Sequence, residues 1–222
     1  AKQICEKPHQ TVQIARAFFD EACYNGINYR TTRKGGTAMP EPVCYIVGAM
    51  DPGPIRLAPQ RPAFVIAADL GLSHLERQGI VPDLIVGDFD SLGRLPPGEN
   101  VLRYPPEKDD PDMLLAIKRG LERGCRQFVL YGGTGGRPDH AYANLQSLAY
   151  LAGRGARGYL VGAGMVSTVI QDGSLLFTPE HRGVISVFCH GAPARGVEER
   201  GLYYALHGAT LTADNSIGLS NR

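Results

Sequence analysis

The sequence predicts an α/β protein, with a parallel-sheet domain followed by a small antiparallel β domain. Three observations predict it. Wholly apolar runs recur at Val43–Val47, Ala63–Ala68, Leu84–Val86 and Phe128–Tyr131, and each is followed directly by Gly or Asp. Runs that do not alternate with polar residues suit strands covered on both faces, as in parallel sheets. Polar clusters follow these runs, where the carboxyl ends of parallel strands open onto a ligand crevice. From Tyr159 onward the pattern changes to short apolar runs separated by turns such as Asp172-Gly173, with no helical period. That change marks an antiparallel β unit.

Composition bounds the alternatives. The chain has 222 residues with 43% hydrophobic content, enough for a sizeable core in one or two domains. A net charge of +1 offers no broad field for nucleic acid or an anionic membrane. No run approaches the roughly 18 apolar residues of a membrane span, and the N-terminus lacks a signal-peptide core. Cys5, Cys23, Cys44, Cys125 and Cys189 are scattered, without a C-x-x-C pair. The expectation is a cytoplasmic protein in a reducing compartment.

Taken in order, residues 1–42 read as an N-terminal extension. Val12, Ala15, Phe18, Phe19 and Ala22 have helical spacing, predicting a helix over 11–24, and Arg30 to Pro42 reads as a linker with a basic cluster. The α/β domain spans 43–163. Its first two strands, Val43–Val47 and Ala63–Ala68, are joined by a Pro-rich loop. Ser73 and Glu76 then resemble a capping box for a short helix closing at Gly79. The third strand ends in Gly87-Asp88-Phe89-Asp90-Ser91. After a Pro-rich loop, Asp110 suits an N-cap with Pro111 in the first helical position, and Leu114, Ile117 and Leu121 form one apolar face. Phe128–Tyr131 runs into a turn with four glycines in five positions, Gly132 to Gly136, then Arg137. Asp139 can cap a helix over 141–152 with Leu145, Leu148 and Ala152 inward. In the β domain, 164–222, strands are expected at 166–170, 175–178, 184–189, 201–206 and 209–213.

The clusters carry the chemistry. Asp88 and Asp90 have no Lys or Arg beside them in sequence. They are either a solvated turn or a pair that repels unless a cation such as Mg²⁺ lies between them. Asp109, Asp110 and Asp112 either favour a helix dipole or bind metal or substrate. The glycine turn lets backbone N–H groups approach an anion, and Arg137 adds a planar fork suited to phosphate. It is not a P-loop, since the G-K-[ST] ending is missing.

Laid end to end, these clusters resemble the thiamine pyrophosphokinase family. The matching segments are Ala68-Asp-Leu-Gly71, Gly79 to Ser91, Lys108-Asp-Asp-Pro-Asp112, Gly132 to His140 with Ala143-Asn-Leu145, Gly201-Leu-Tyr-Tyr204 and Gly218-Leu-Ser-Asn221. Gly-Asp-Phe-Asp-Ser together with Gly-Gly-Arg-x-Asp-His carries most of the specificity. The resemblance implies a parallel-sheet nucleotide-binding domain followed by a small antiparallel β-sandwich domain, and Mg²⁺-dependent transfer of pyrophosphate from ATP to the thiamine hydroxyl, in a homodimer with thiamine between subunits. It implies catalytic roles for Asp88, Asp90, Asp109 and Asp112, with Asp88, Asp90 and Asp112 as metal ligands. Asp69, Ser91, Lys108, Gly132, Gly133, Thr134, Gly135, Gly136, Arg137, Asp139 and His140 would meet the nucleotide; Tyr204, Ser220 and Asn221 would meet thiamine.

Four departures accompany it: Leu70 stands where the family has glycine, Pro111 where it has threonine, Tyr203 where it has lysine, and residues 1–42 have no counterpart. The same acidic pairs and glycine turn would serve a pterin pyrophosphokinase, and a non-catalytic thiamine or nucleotide sensor is a third reading.

Overall fold

A computed structural model describes residues 11–15, 27–30, 42–58, 62–162, 164–177 and 183–222. The chain divides into two compact units, one formed by residues 34–168 and the other by residues 1–33 with 169–222. The first strands, β1 (Thr11–Ala15) and β2 (Ile27–Arg30), belong to the second of these. Of the expected extension, the described strands β1 and β2 therefore group with the C-terminal strands. The helix expected over 11–24 is corrected for its first residues, which form β1. Its Thr-Val-Gln-Ile sequence alternates and is β-branched, and it pairs antiparallel with a later strand, which overrides a helical spacing. Residues 16–24 and 31–41 lie outside the described residues.

The α/β unit contains β3 (Val43–Val47), β4 (Ala63–Ala68), α1 (Gly71–Arg77), β5 (Leu84–Gly87), β6 (Val101–Arg103), α2 (Asp112–Glu122), β7 (Gln127–Tyr131), α3 (Pro138–Ala152), β8 (Arg157–Gly162) and the start of β9 (Met165–Gln171). Its seven strands lie in the order β9-β8-β7-β3-β4-β5-β6. The six from β8 to β6 are parallel, and β9 runs antiparallel to β8. β3 is buried along its whole length, as its unbroken apolar sequence requires. Helix α2 approaches the sheet closely because Gly120 has no side chain: a Cβ there would lie 2.5 Å from Phe128 Cε1 and 2.8 Å from Cys44 Sγ.

Several element ends differ from expectation. Ser73 lies inside α1, which starts at Gly71 without a side-chain cap. Pro111, extended at φ −60° and ψ 152°, is the N-cap of α2 in place of Asp110, since its ring presets that backbone. The buried face of α2 is Met113, Leu115, Ala116, Ile117 and Gly120, so of the expected three only Ile117 is fully buried. Helix α3 begins at Pro138, and Asn144, Ser147, Leu148 and Leu151 are its buried residues.

The second unit adds β10 (Ser174–Phe177), β11 (Ser186–Cys189), β12 (Ala194–Glu199) and β13 (Leu206–Leu211). Its pairs β1–β11, β2–β10 and β12–β13 are antiparallel. Ile185, Val187, Ala194 and Leu211 form its core, with Leu175, Val197 and Leu206 packed against it. The strand at 194–199 was not expected, because Arg195, Glu198 and Glu199 hide its period. The strand expected over 201–206 is a loop up to Ala205.

Candidate functional site

In the sheet the chain moves from β3 outward to β6, then returns to β7 on the other side of β3. The loops after β3 and β7 thus leave in opposite directions, which is where open α/β sheets bind ligands. The glycine turn after β7 sits there, held by backbone contacts. Gly48 N–H donates to Tyr131 O at 2.8 Å and Met50 N–H to Gly132 O at 3.0 Å. Gly132 has φ +64°, and a Cβ on it would lie 2.5 Å from Met50 O and 2.7 Å from Gly48 O. Only glycine fits. From α3, buried Asn144 donates through Nδ2 to Gly133 O at 2.8 Å. Asn144 is a support residue whose role was not read from the sequence, although it lies in the matching Ala143-Asn-Leu145 segment.

The carboxylates sit at the same edge, on the loops after β4 and β5. Side-chain oxygens of Asp69, Asp88 and Asp90 all lie within 4.8 Å of one another. Asp69 is 8% exposed and its Oδ1 has no hydrogen-bond partner among the described residues. Both loops are bent unusually: Asp69 has φ +48° and Phe89 φ +66°, and a bulky residue in that region is uncommon. At about 4.8 Å per strand, β7 lies roughly 10 Å from β4 and 14 Å from β5.

Asp88 does have a cation beside it, supplied through space. Lys108 Nζ lies 2.7 Å from Asp88 Oδ2 and 2.8 Å from Asp112 Oδ1. The Lys108 hydrogen bond holds the Asp88 carboxyl below its ordinary range. Burial pushes Asp112 up, against the pull of Lys108. Burial opposes the charge on Lys108 too, but its bonds to Asp112 and Asp88 outweigh this and raise it. The expected metal set was Asp88, Asp90 and Asp112; the geometry gathers Asp69 with Asp88 and Asp90, and Asp112 faces Lys108. Ser91 donates to Asp90 Oδ1 from its N–H at 2.5 Å and from Oγ at 3.1 Å. Asp110 is taken by Lys118, and Asp109 is exposed.

Arg137 and Asp139 form an exposed two-point pair, Nε to Oδ1 at 3.2 Å and an Nη to Oδ2 at 2.5 Å. That pair keeps Asp139 below its ordinary range. His140 is exposed and Thr134 half-buried. An open depression of about 620 Å³ is lined by Ala49, Leu70, Ser73, His74, Glu76 and Arg77. Leu70 has α-helical dihedrals, φ −58° and ψ −15°, so no glycine is needed there. The close approach belongs to Gly71, where a Cβ would lie 1.8 Å from Val47 O.

In the other unit Tyr204 is 59% exposed on a loop, Ser220 is exposed with φ +59°, and Asn221 is 3% exposed. Asn221 therefore does not offer its amide outward as expected.

Residues 57–160 match the family model described as thiamin pyrophosphokinase, catalytic domain, which takes in the acidic loops, Lys108, Asp112 and the glycine turn. Over this stretch, just under half of the chain, the protein is similar to the catalytic domain of thiamin pyrophosphokinases. A curated family member, thiamine pyrophosphokinase of Bacillus subtilis (strain 168), is 37% identical over 89 residues, 37% of this chain and 42% of that protein. The alignment thus spans less than half of the curated relative. Two solved family structures share the fold. Thiamine pyrophosphokinase from B. subtilis has a TM-score of 0.61 at 22% identity, covering 82% of this chain and 89% of that one. A family protein from Enterococcus faecalis has a TM-score of 0.60 at 22% identity, covering 81% and 88%.

Proposed function

We propose that the protein is a thiamine pyrophosphokinase that transfers pyrophosphate from ATP to the thiamine hydroxyl with Mg²⁺ bound at the acidic loops. The observation that carries this reading is the convergence of Asp69, Asp88 and Asp90, with a buried carboxylate oxygen of Asp69 left without a partner among the described residues. Of these three carboxylates only Asp88 pairs with Lys108, which Asp112 shares, so negative charge is left in excess and the hard oxygens suit Mg²⁺. Bound there, the ion would neutralise phosphate charge during transfer.

The chain's own groups have distinct tasks in this reading. Lys108 orients Asp88 and Asp112, and the glycine turn and Arg137 bind phosphate oxygens through N–H donors and a planar fork. Ser91 fixes the rotamer of Asp90. The depression beside Leu70 takes part of the nucleoside. The thiamine oxygen attacks the β-phosphorus as the bond from the α–β bridging oxygen to the β-phosphorus breaks, and AMP leaves with that oxygen. A carboxylate near the hydroxyl, of the acidic loops or Asp109, takes the proton. Tyr204 and Ser220 meet thiamine, whose cationic ring suits an aromatic face. The enzyme works as a homodimer, in the cytoplasm where ATP is available and its cysteines stay reduced. Among the described residues no helix is long and apolar enough to cross a membrane.

The test is steady-state AMP release with ATP, Mg²⁺ and either thiamine or hydroxymethylpterin. Release with thiamine alone is expected. Release only with the pterin, or binding without release, would replace this reading with a pterin kinase or a sensor.

A further inference from the structure

Glu199, at the end of β12, is a charged side chain that is only 6% exposed, in a strand otherwise turned to solvent at Arg195 and Glu198. Its Oε2 accepts from Asn221 Nδ2 at 2.6 Å, and its Oε1 has no partner among the described residues. Asn221 is used up by its neighbours. Nδ2 also donates to Tyr204 O at 2.7 Å, and Oδ1 accepts from Tyr204 N–H at 2.9 Å and Arg222 N–H at 3.0 Å. Two donors and two acceptors exhaust a primary amide. Asn221 also bridges to Ile185 through backbone bonds of 2.8 and 2.7 Å, while Tyr203 N–H donates to Arg222 O at 2.7 Å. The preceding Ser220 is fixed in its left-handed backbone by its N–H bond to Ser186 Oγ at 3.0 Å.

The outcome is a rigid buried base under an exposed surface. Tyr203 is 70% exposed and Tyr204 59%, with their rings edge to face at 4.8 Å. Large exposed aromatics on a hydrogen-bonded loop point to binding, because burial would otherwise stabilise them more.

We propose that Glu199 and Asn221 form a buried clamp that holds Tyr204 and Ser220 in position for thiamine, with Glu199 as the positioning residue. This rests on the reading above that the C-terminal unit meets thiamine. The clamp keeps a desolvated carboxyl where an apolar side chain would stabilise the fold more, and burial raises that carboxyl above its ordinary range. Glu199 supplies the acceptor that orients the Asn221 amide. With the amide so oriented, its other donor and its oxygen meet the Tyr204 backbone.

The test compares Glu199→Met, which keeps volume and removes the acceptor, with Glu199→Gln, which keeps both. Amide hydrogen exchange reads the clamp itself. In Glu199→Met the Tyr203 and Tyr204 amides exchange faster while the Leu211 amide in β13 stays protected; Glu199→Gln behaves as the parent. Thiamine KM should rise roughly tenfold in Glu199→Met, the scale of one lost hydrogen bond, with ATP KM and kcat within about twofold. Unchanged exchange at Tyr203 and Tyr204 would overturn the clamp. Faster exchange with unchanged thiamine KM would overturn its link to substrate, as would equal losses in ATP and thiamine KM. If the parent protein transfers nothing to thiamine, the functional reading falls and takes the substrate link with it, while the exchange result still decides the clamp.

Discussion

Asp90 is the residue at which charge and geometry can be separated. It is exposed, and the bonds it accepts from Ser91 go to one carboxylate oxygen, Oδ1. Asn in its place would still accept them, so the turn stays and a full negative charge goes. Asp90→Asn is expected to lower kcat at least about a hundredfold without changing Tm, because cation-assisted transfer draws several kcal/mol from charge neutralisation. A Mg²⁺ titration of the variant checks this, and near-parental turnover at saturating Mg²⁺ would remove Asp90 from the metal set. Asp88 could not make so clean a test, since losing its charge would also release Lys108 from a 2.7 Å pair.

Among the elements, α1 shows why the Ala68-Asp-Leu-Gly71 segment needs its glycine. The helix starts against the end of β3, and a Cβ on Gly71 would lie 1.8 Å from Val47 O and 2.5 Å from Val47 C. Backbone on both sides leaves nothing flexible to yield. Gly71→Ala is therefore expected to cost about 3 kcal/mol or more, roughly 6–12 °C in Tm for a chain of this size. Leu70→Gly should cost far less, since Leu70 is only half-buried and keeps ordinary dihedrals. Thermal melts of the two variants check the order, and a Gly71→Ala melt equal to the parent's would show that the helix start is not packed against β3. The family's glycine at position 70 is thus dispensable for the backbone path, and Leu70 instead lines the depression next to Asp69.

At the scale of the molecule, the groups proposed to bind metal and phosphate belong to one unit and the aromatic surface of Tyr203 and Tyr204 to the other. The proposed homodimer completes each thiamine site with groups from a second copy, and a two-fold interface would create two equivalent sites. Mixing Asp90→Asn with Tyr204→Ala subunits tests it. Each variant alone is inactive, and a mixed dimer regains one site holding both parental groups, so activity should reappear upon subunit exchange to roughly a quarter of the parental level, as statistical mixing dictates. No recovery despite demonstrated exchange would mean that each chain builds its own site.

The parallel strands and the acidic and glycine-rich loops were legible in the sequence because their causes are local. An apolar run such as Val43–Val47 must be covered on both faces wherever it lies, and Gly87 to Ser91 carries its chemistry within five residues. The resemblance to thiamin pyrophosphokinases was legible for the same reason: its signatures are short and contiguous. Partnership was not, because electrostatics and hydrogen bonding act through space and ignore chain order. Lys108 became the partner of Asp88, Asp69 joined Asp90 across a strand pair, and Asn221 turned inward to Glu199. β1 took the extended form because pairing with β11 satisfies its backbone, although its spacing suited a helix. Which side chains share charge, and which face inward, only the tertiary structure decided.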